Sequence, residues 1–439
     1  MNSKKYFALA KENGIDVCEL TLSKDTSLNF EIFKGEVISY SVEFSKGISS
    51  RGIFNNKLGA SFTEKDDKDT YMFLINAIKD SASLSETLDE AIIFKGSEKY
   101  KKKSTFSKKL AAWTVDEKLK ICHEIEKKLI AADSRISDVE VMYSDSSSES
   151  EIINTYGLHL KSKSNYFTIY ASIVVKEGTE IKSYYDLLFD NDPAKIDVDK
   201  FVKDIVEAGL RKLHGESIKA GSYKGVLSRN CVSSLLNAAL SSAIAESVQK
   251  HTSVWEGKLN TKVFSEKLTI YEKPLANNFF YTYFDGEGVA TYNKTVIEKG
   301  VLKTYFYNLV TAKKDNVAST GNGTKNGSKV GTLFGNIFVK PGRLSEEELI
   351  KKIGNGVYIS DISGLHAGLD ANSGNFSLQA EGFHIVDGKL GSPLTLFTVS
   401  GNIFELFNSV IAVGNNLKLL PSATFVPSIA FKGLKISAE

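Results

Sequence analysis

The chain reads as an α+β protein of two domains, an N-terminal antiparallel sheet with covering helices and a C-terminal β-rich, barrel-like or sandwich domain with one buried helix. Three observations predict this. Between Cys18 and Leu188, runs of β-forming residues alternate with turn signals, broken by a few stretches of helical period. No strand–helix–strand alternation of the kind that builds a doubly wound sheet runs through the chain. At about 150 residues per domain, 439 residues suggest two or three domains, and the small, polar, glycine-rich stretch 215–225 supplies one boundary, giving domains 1–215 and 216–439.

Taken in order, residues 4–13 have a helical pattern stopped by Gly14, a natural left-handed cap. Strands are expected at 18–23, 27–33, 37–44, 47–54 and 57–63, with turns at Lys34-Gly35 and Asn55-Asn56. Helical period returns at 69–82 through Tyr71, Leu74, Ile75 and Ile78, and at 115–131 through Leu119, Cys122, Ile125 and Leu129. His123 and Glu124 are adjacent on that second helix and point about a hundred degrees apart, so they form no metal pair. Further strands are expected at 139–143, 151–155, 158–163, 166–176 and 179–188, then a helix at 201–213. The stretch 225–255 carries the helix around which the second half is organised. Val232, Leu235, Leu236, Ala239, Leu240 and Ala243 share one face, and Ser228 or Asn230 stands where an N-cap is wanted. Its uncharged middle, 231–245, is too short to cross a bilayer, so it reads as a core helix. Glycine-punctuated strands rich in Phe, Tyr and Val follow it.

Composition narrows the class. Hydrophobic content of 42% and charged content of 25% are those of a folded globular protein. A net charge of +2 gives no global field for nucleic acid. The run 95–109 holds seven lysines with Tyr100 and Phe106 but no arginine, which suits a solvated connector better than a phosphate-binding strip. Cys18, Cys122 and Cys231 are odd in number and in no CxxC pair, so reduced packing thiols are expected. No signal-peptide core or membrane span is read, and a cytoplasmic location is expected.

Motifs that could carry chemistry are few. STGNGTKNGSKVGTLFGN at 319–336 is glycine-rich, but Gly327, Ser328 and Lys329 invert the order a phosphate-binding loop needs, so a flexible loop bordering a cleft is expected. Asp285-Gly286-Glu287-Gly288 brings two carboxylates together in a turn, which suits a hard cation or a general base, or merely a tight turn. His366 lies in the loop sequence DISGLHAGLD and His251 just past the central helix. The six histidines form no HxH, HExxH or HExxxH pattern, and there is no G-x-S-x-G elbow.

A series of segments resembles the TldD/PmbA family, also called the modulator of DNA gyrase or peptidase U62 family, on its PmbA (TldE) side. They are FDGEGVAT at 284–291, VIEKGVLKTYFYN at 296–308, STGNG at 319–323, NIFVKPG at 336–342, SGNFSLQAEGFHIVDGKL at 373–390, VSGNIFELFNSVIAVGNNL at 399–417 and PSIAFKGLKIS at 427–437. KGISSRGIFNNKLGASFT at 46–63 is similar to the family's N-terminal strand pair. The resemblance implies an N-terminal α/β domain, a β-rich C-terminal domain, and a dimer enclosing a cavity for extended or unfolded peptide. In the TldD branch it implies zinc held by an HExxxH helix and a C-terminal cysteine. Here 236–242 has no histidine or glutamate and no cysteine follows Cys231, so no zinc or other cofactor is expected in this chain, and zinc would belong to a TldD-type partner. The small side of the helix, Ser234, Ala238, Ser241, Ser242 and Ala245, reads as a place where another element packs close.

Three readings follow. The first is a PmbA/TldE-like subunit of a peptide-processing metalloprotease, paired with itself or with a TldD-type subunit, acting on unfolded or ribosomally made peptides. The second is a stand-alone peptidase using His251, Asp285, Glu287 and His366. The third is a binding or regulatory protein that touches DNA gyrase or nucleic acid, with the run 95–109 as its one support in the sequence and nucleic acid the less expected partner.

Overall fold

A computed structural model describes residues 1–86, 89–327 and 329–438 and resolves two compact units. The first comprises Met1–Arg211, Asn277–Thr291 and Asn308–Gly331, and the second Lys212–Ala276, Tyr292–Tyr307 and Thr332–Glu439. Two segments from the second half of the sequence, 277–291 and 308–331, therefore fold with the first.

The first unit is built on one six-stranded antiparallel sheet. Its strands are β1 (Val17–Phe33), β2 (Glu36–Phe54), β3 (Lys57–Thr63), β4 (Ile136–Asn154), β5 (His159–Glu177) and β6 (Glu180–Asp190), in the order β3-β2-β1-β4-β5-β6. Two meanders thus meet at the β1–β4 pair. Sequence periodicity divides β1, β2, β4 and β5 into two strands each, and the structure corrects this. Lys24, Asp25 and Thr26 of β1 lie opposite Lys46, Ser45 and Phe44 of β2, so the polar breaks fall side by side and the ladder continues through them. The turns are as expected: Lys34-Gly35 and Asn55-Asn56 have positive φ throughout, the hairpin geometry that keeps right-handed twist.

Helices α1 (Ser3–Glu12) and α2 (Thr70–Leu84) pack against β1, β2 and β3, burying Tyr6, Leu74, Ile75 and Ile78 against Cys18, Leu20 and Ile48. After the short α3 (Lys108–Ala112), α4 (Val115–Ala132) opens with a Thr114–Glu117 capping box and packs on β4, with α5 (Val198–Leu210) on β5 and β6. Because side chains alternate along a strand, Glu19 points away from the face that Cys18 and Leu20 give to the helices. Arg51 and Asn154, both opposite Glu19 in the ladders, share that second face.

In the second unit, β7 (Gly221–Leu227) pairs with Gly356–Ser363 on one side and Ile429–Ala438 on the other. The latter pairs with Phe397–Asn402, that strand with Asn375–Val386, and that in turn with Gly356–Ser363, closing a five-stranded barrel. The expected α+β class with a barrel-like C-terminal region is the one found. Gly225 is required by the closure: a Cβ there would lie 2.1 Å from the Val357 carbonyl oxygen. Gly225→Ala is expected to cost about 1–3 kcal/mol, seen as a lower urea midpoint, and an unchanged midpoint would contradict this close approach.

The central helix is α6 (Arg229–Leu240), capped by Ser228, whose Oγ accepts from Cys231 N. Val232, Leu235, Leu236, Ala239 and Leu240 are buried, packed against Gly356–Ser363, Thr424–Val426 and the helix Ile403–Asn408. The helix is shorter than its uncharged run. Ser241 Oγ donates to the Ala238 carbonyl, the chain tightens into a 3-10 turn at Ser241–Ala243, and the Phe306 N–H and carbonyl then bond Ala243 and Ala245. Of the small-residue side, Ser234, Ala238 and Ser241 are half-buried, while Ser242 and Ala245 lie beyond the helix and inside the core.

Candidate functional site

Glu19 of β1 and Arg51 of β2 stand directly opposite one another on the face of the sheet turned away from the helices. A strand pair can hold two such charges buried only if something covers them. Within the same unit, the segments 277–291 and 308–331 supply that cover, and a cleft of about 440 Å³ remains. Its floor includes Glu19, Thr21, Arg51 and Lys325, and its walls Phe279, Phe280, Tyr281 and Tyr283. It adjoins a larger cleft of about 820 Å³, with which it shares Lys103, Ser150, Ser162, Lys163 and Tyr283.

The aromatic wall is held in place. Tyr281 Oη donates to the Lys101 carbonyl at 2.6 Å and Tyr283 Oη to the Lys161 carbonyl. Phe279 and Phe280 have ring centroids 4.7 Å apart. The lysine-rich run 95–109 therefore has a structural place: Lys101 anchors this wall, Lys103 bonds Asn277, Tyr100 Oη donates to the Gly288 carbonyl, and Lys109 pairs with Asp192.

Asp285 and Glu287 are brought together beside this floor. Asp285 Oδ1 accepts from Glu287 N and Val289 N, both at 2.9 Å, and Oδ2 from Gly323 N at 2.7 Å. Burial pushes its carboxyl up to about 6, although these three N–H groups pull it down. Glu287 Oε2 accepts from Leu309 N at 2.9 Å, and burial raises its carboxyl to about 7 against that bond, with the Asp285 charge raising it further and Arg51 and Lys325 lowering it. Gly323 is glycine for this reason: a Cβ would fall 2.2 Å from Glu287 Oε2. The glycine-rich stretch thus serves to tie its loop to the Asp285 turn; Ser328 of that stretch lies outside the described residues.

Lys325 donates to Glu19 and to Thr21 Oγ1. Its burial holds the ammonium below its ordinary pKa, as does the nearby Arg51, while Glu19 opposes them. Arg51 is the exception in a set of committed groups. It is 5% exposed, Nη2 donates to the Ile92 carbonyl at 3.1 Å, and Nε is buried with no partner.

The two histidines belong to the second unit. His251 is exposed and its Nδ1 lies 2.6 Å from Glu256 Oε1, while His366 is exposed on the short helix Leu365–Gly368. Glu19, Arg51 and Lys325 escape a motif search because they are scattered over three hundred positions. The one available signal was Glu19 between Cys18 and Leu20, a charge inside an apolar strand.

Among the described residues no group of three His, Cys, Asp or Glu side chains stands together as a metal site. On α6, Leu236 is 1% exposed in the core and Asn237 and Ala238 follow it. Cys231 Sγ accepts from Ser228 Oγ and donates to the Ile359 carbonyl, and burial pushes its thiol up to about 12. Cys18 and Cys122 are likewise buried and free. Among the described residues no helix is long and apolar enough to cross a membrane.

Comparison with known proteins places this architecture. Residues 108–213 match the PmbA/TldA metallopeptidase central domain and residues 220–438 the PmbA/TldA metallopeptidase C-terminal domain. A metalloprotease PmbA homologue of Buchnera aphidicola is 25% identical, covering 91% of each chain. A solved Thermotoga maritima structure described as a modulator of a DNA gyrase superposes with a TM-score of 0.91 at 26% identity, covering 99% of each chain. TldE from Thermococcus kodakarensis has the same fold, with a TM-score of 0.90 at 22% identity over 99% of each chain. The chain is a member of the PmbA/TldD metallopeptidase family.

Proposed function

We propose that the chain is a PmbA/TldE-type subunit that holds unfolded peptide for a zinc-bearing TldD-type partner and does not itself cut. The observation that carries this reading is α6. Where hydrolysis would need imidazole and carboxylate ligands to make a zinc-bound hydroxide, the helix gives Leu235, Leu236, Ala239 and Leu240 to the core. The cleft supports the holding role, since fixed aromatic rings beside hydroxyl-bearing strands suit a peptide's side chains and backbone. Pairing with a second chain, of the same or the partner kind, is supported by the free end of β2. Beyond Ile48 no β3 residue pairs with it, and Val37, Ile38, Tyr40, Val42 and Phe44 are exposed there.

The test is zinc content and hydrolysis of an unfolded protein such as reduced, alkylated casein, by the untagged chain alone and with a TldD-type subunit. The chain alone is expected to carry essentially no zinc and to leave the substrate intact, with cleavage only when the partner is present. Stoichiometric zinc together with cleavage by the chain alone would sink the proposal.

A further inference from the structure

We propose that Arg51 is the receptor for the terminal carboxylate of a peptide whose last residue is large and apolar or aromatic, seated in the cleft of about 440 Å³. This rests on the peptide-holding role proposed above and specifies what is held.

A buried guanidinium is costly to leave without a counter-charge, and native structures pair such groups. Arg51 is given one backbone carbonyl, its Nε has nothing, and among the described residues no carboxylate stands within ion-pair distance of it. The acids around it are engaged elsewhere. Glu19, its neighbour across the ladder, takes Lys325, Asp285 takes three backbone N–H groups, and Glu287 takes Leu309 N and acts on Arg51 only through space. A planar fork with free donors is matched best by a carboxylate, which accepts two parallel N–H bonds.

The surroundings select the kind of carboxylate. Phe279, Phe280, Tyr281 and Tyr283 offer ring surface beside Arg51, room for one large side chain attached to the carboxylate-bearing carbon. Arg51 lines the smaller cleft and not the larger one it adjoins. A peptide lying in the larger cleft thus has its end at the guanidinium, and its preceding residues pass Ser150 and Ser162, which both clefts share.

Calorimetric titration of the full chain with an acetylated peptide of serine and glycine ending in Leu-Phe, without acidic side chains, tests this. The free acid is expected to bind about ten- to a hundredfold tighter than the same peptide amidated, the range for hydrogen bonds to a charged group. Arg51→Met should abolish that preference, and the acid–amide comparison on the unaltered chain needs no variant to fold. Equal binding of acid and amide overturns the assignment and leaves the peptide-holding role standing. No binding of either peptide, with or without a TldD-type subunit, overturns both. An amidated peptide ending in glutamate that binds as tightly as the free acid would show that a side-chain carboxylate is read, and would overturn the terminal assignment. Retention of the preference in Arg51→Met would place the receptor elsewhere.

Discussion

Lys294→Met is expected to destabilise the second unit by about 3–5 kcal/mol, the largest effect of any single side-chain change considered. Lys294 donates to Glu272 in a pair whose two side chains are 5% and 3% exposed. The register of the antiparallel pair Ile270–Glu272 and Lys294–Glu298 sets the two directly opposite. Glu272 Oε1 also accepts from Gly335 N at 3.1 Å, so the carboxylate is fixed from two sides and cannot turn out to water. Methionine keeps the volume of lysine but leaves that carboxylate without its ammonium in the core. The double variant Glu272→Gln with Lys294→Met removes both charges and should recover most of the loss, because replacing a whole buried pair costs far less than halving it. By contrast, Lys200→Met, which removes an exposed helical pair with Asp204, should move the midpoint little. The two tryptophans make the reading specific. Trp255 is buried in the second unit and Trp113 packs edge-on to Tyr143 and Phe167 in the first, so urea unfolding followed in Trp113→Phe and Trp255→Phe backgrounds separates the units. A loss under about 1 kcal/mol for Lys294→Met would mean that the pair is not buried as described.

These contrasts also explain how much could be read from the sequence. Local chemistry was legible where one or two residues decide the outcome: Gly14 takes the left-handed position after α1, and Asn55-Asn56 makes the β2–β3 turn. It misled where the deciding contact is distant in sequence. Lys24-Asp25-Thr26 looks like a break until it is laid beside Ser45 and Lys46, and Ser241 looks like mid-helix until Phe306 draws the chain away. The candidate site follows the same rule. Asp285 and Glu287 were visible because they are neighbours in one turn. In the sequence Arg51 is only one residue of a family-like strand pair, because its significance depends on which partners Glu19, Lys325 and Asp285 take, and Glu19 and Lys325 come from opposite ends of the chain. His251 and His366 show the converse: loop positions that invite a functional reading, occupied here by one exposed histidine bonded to Glu256 and another exposed on a four-residue helix.

The pH dependence of stability should expose Glu287 directly. Its carboxyl ordinarily titrates at 4.5 and in the folded chain at about 7, raised by burial first and by Asp285, and lowered by the Leu309 N–H, Arg51 and Lys325. Between those values the folded chain binds the extra proton, so this group's contribution is complete below about pH 4.5 and is lost as pH climbs through about 7. The loss is on the order of 3 kcal/mol, from the free energy of a pKa shift of this size. Asp285, raised from 3.8 to about 6, acts in the same direction but over a lower window, so the stretch from about 6 to 8 isolates Glu287. Glu287→Gln keeps an oxygen for Leu309 N and cannot ionise. The variant should therefore match the parent near pH 5 and exceed it by roughly 2–3 kcal/mol at pH 8, measured by urea unfolding with Trp113 as the reporter. Parallel curves for the two proteins from pH 5 to 8 would show that Glu287 stays ionised in the folded state. Arg51 would then have a fixed counter-charge nearby, and the case for its binding a carboxylate from outside would weaken with it. A diverging pair of curves instead leaves the guanidinium beside an acid that is only about half ionised at pH 7, a condition under which an incoming carboxylate has more to gain.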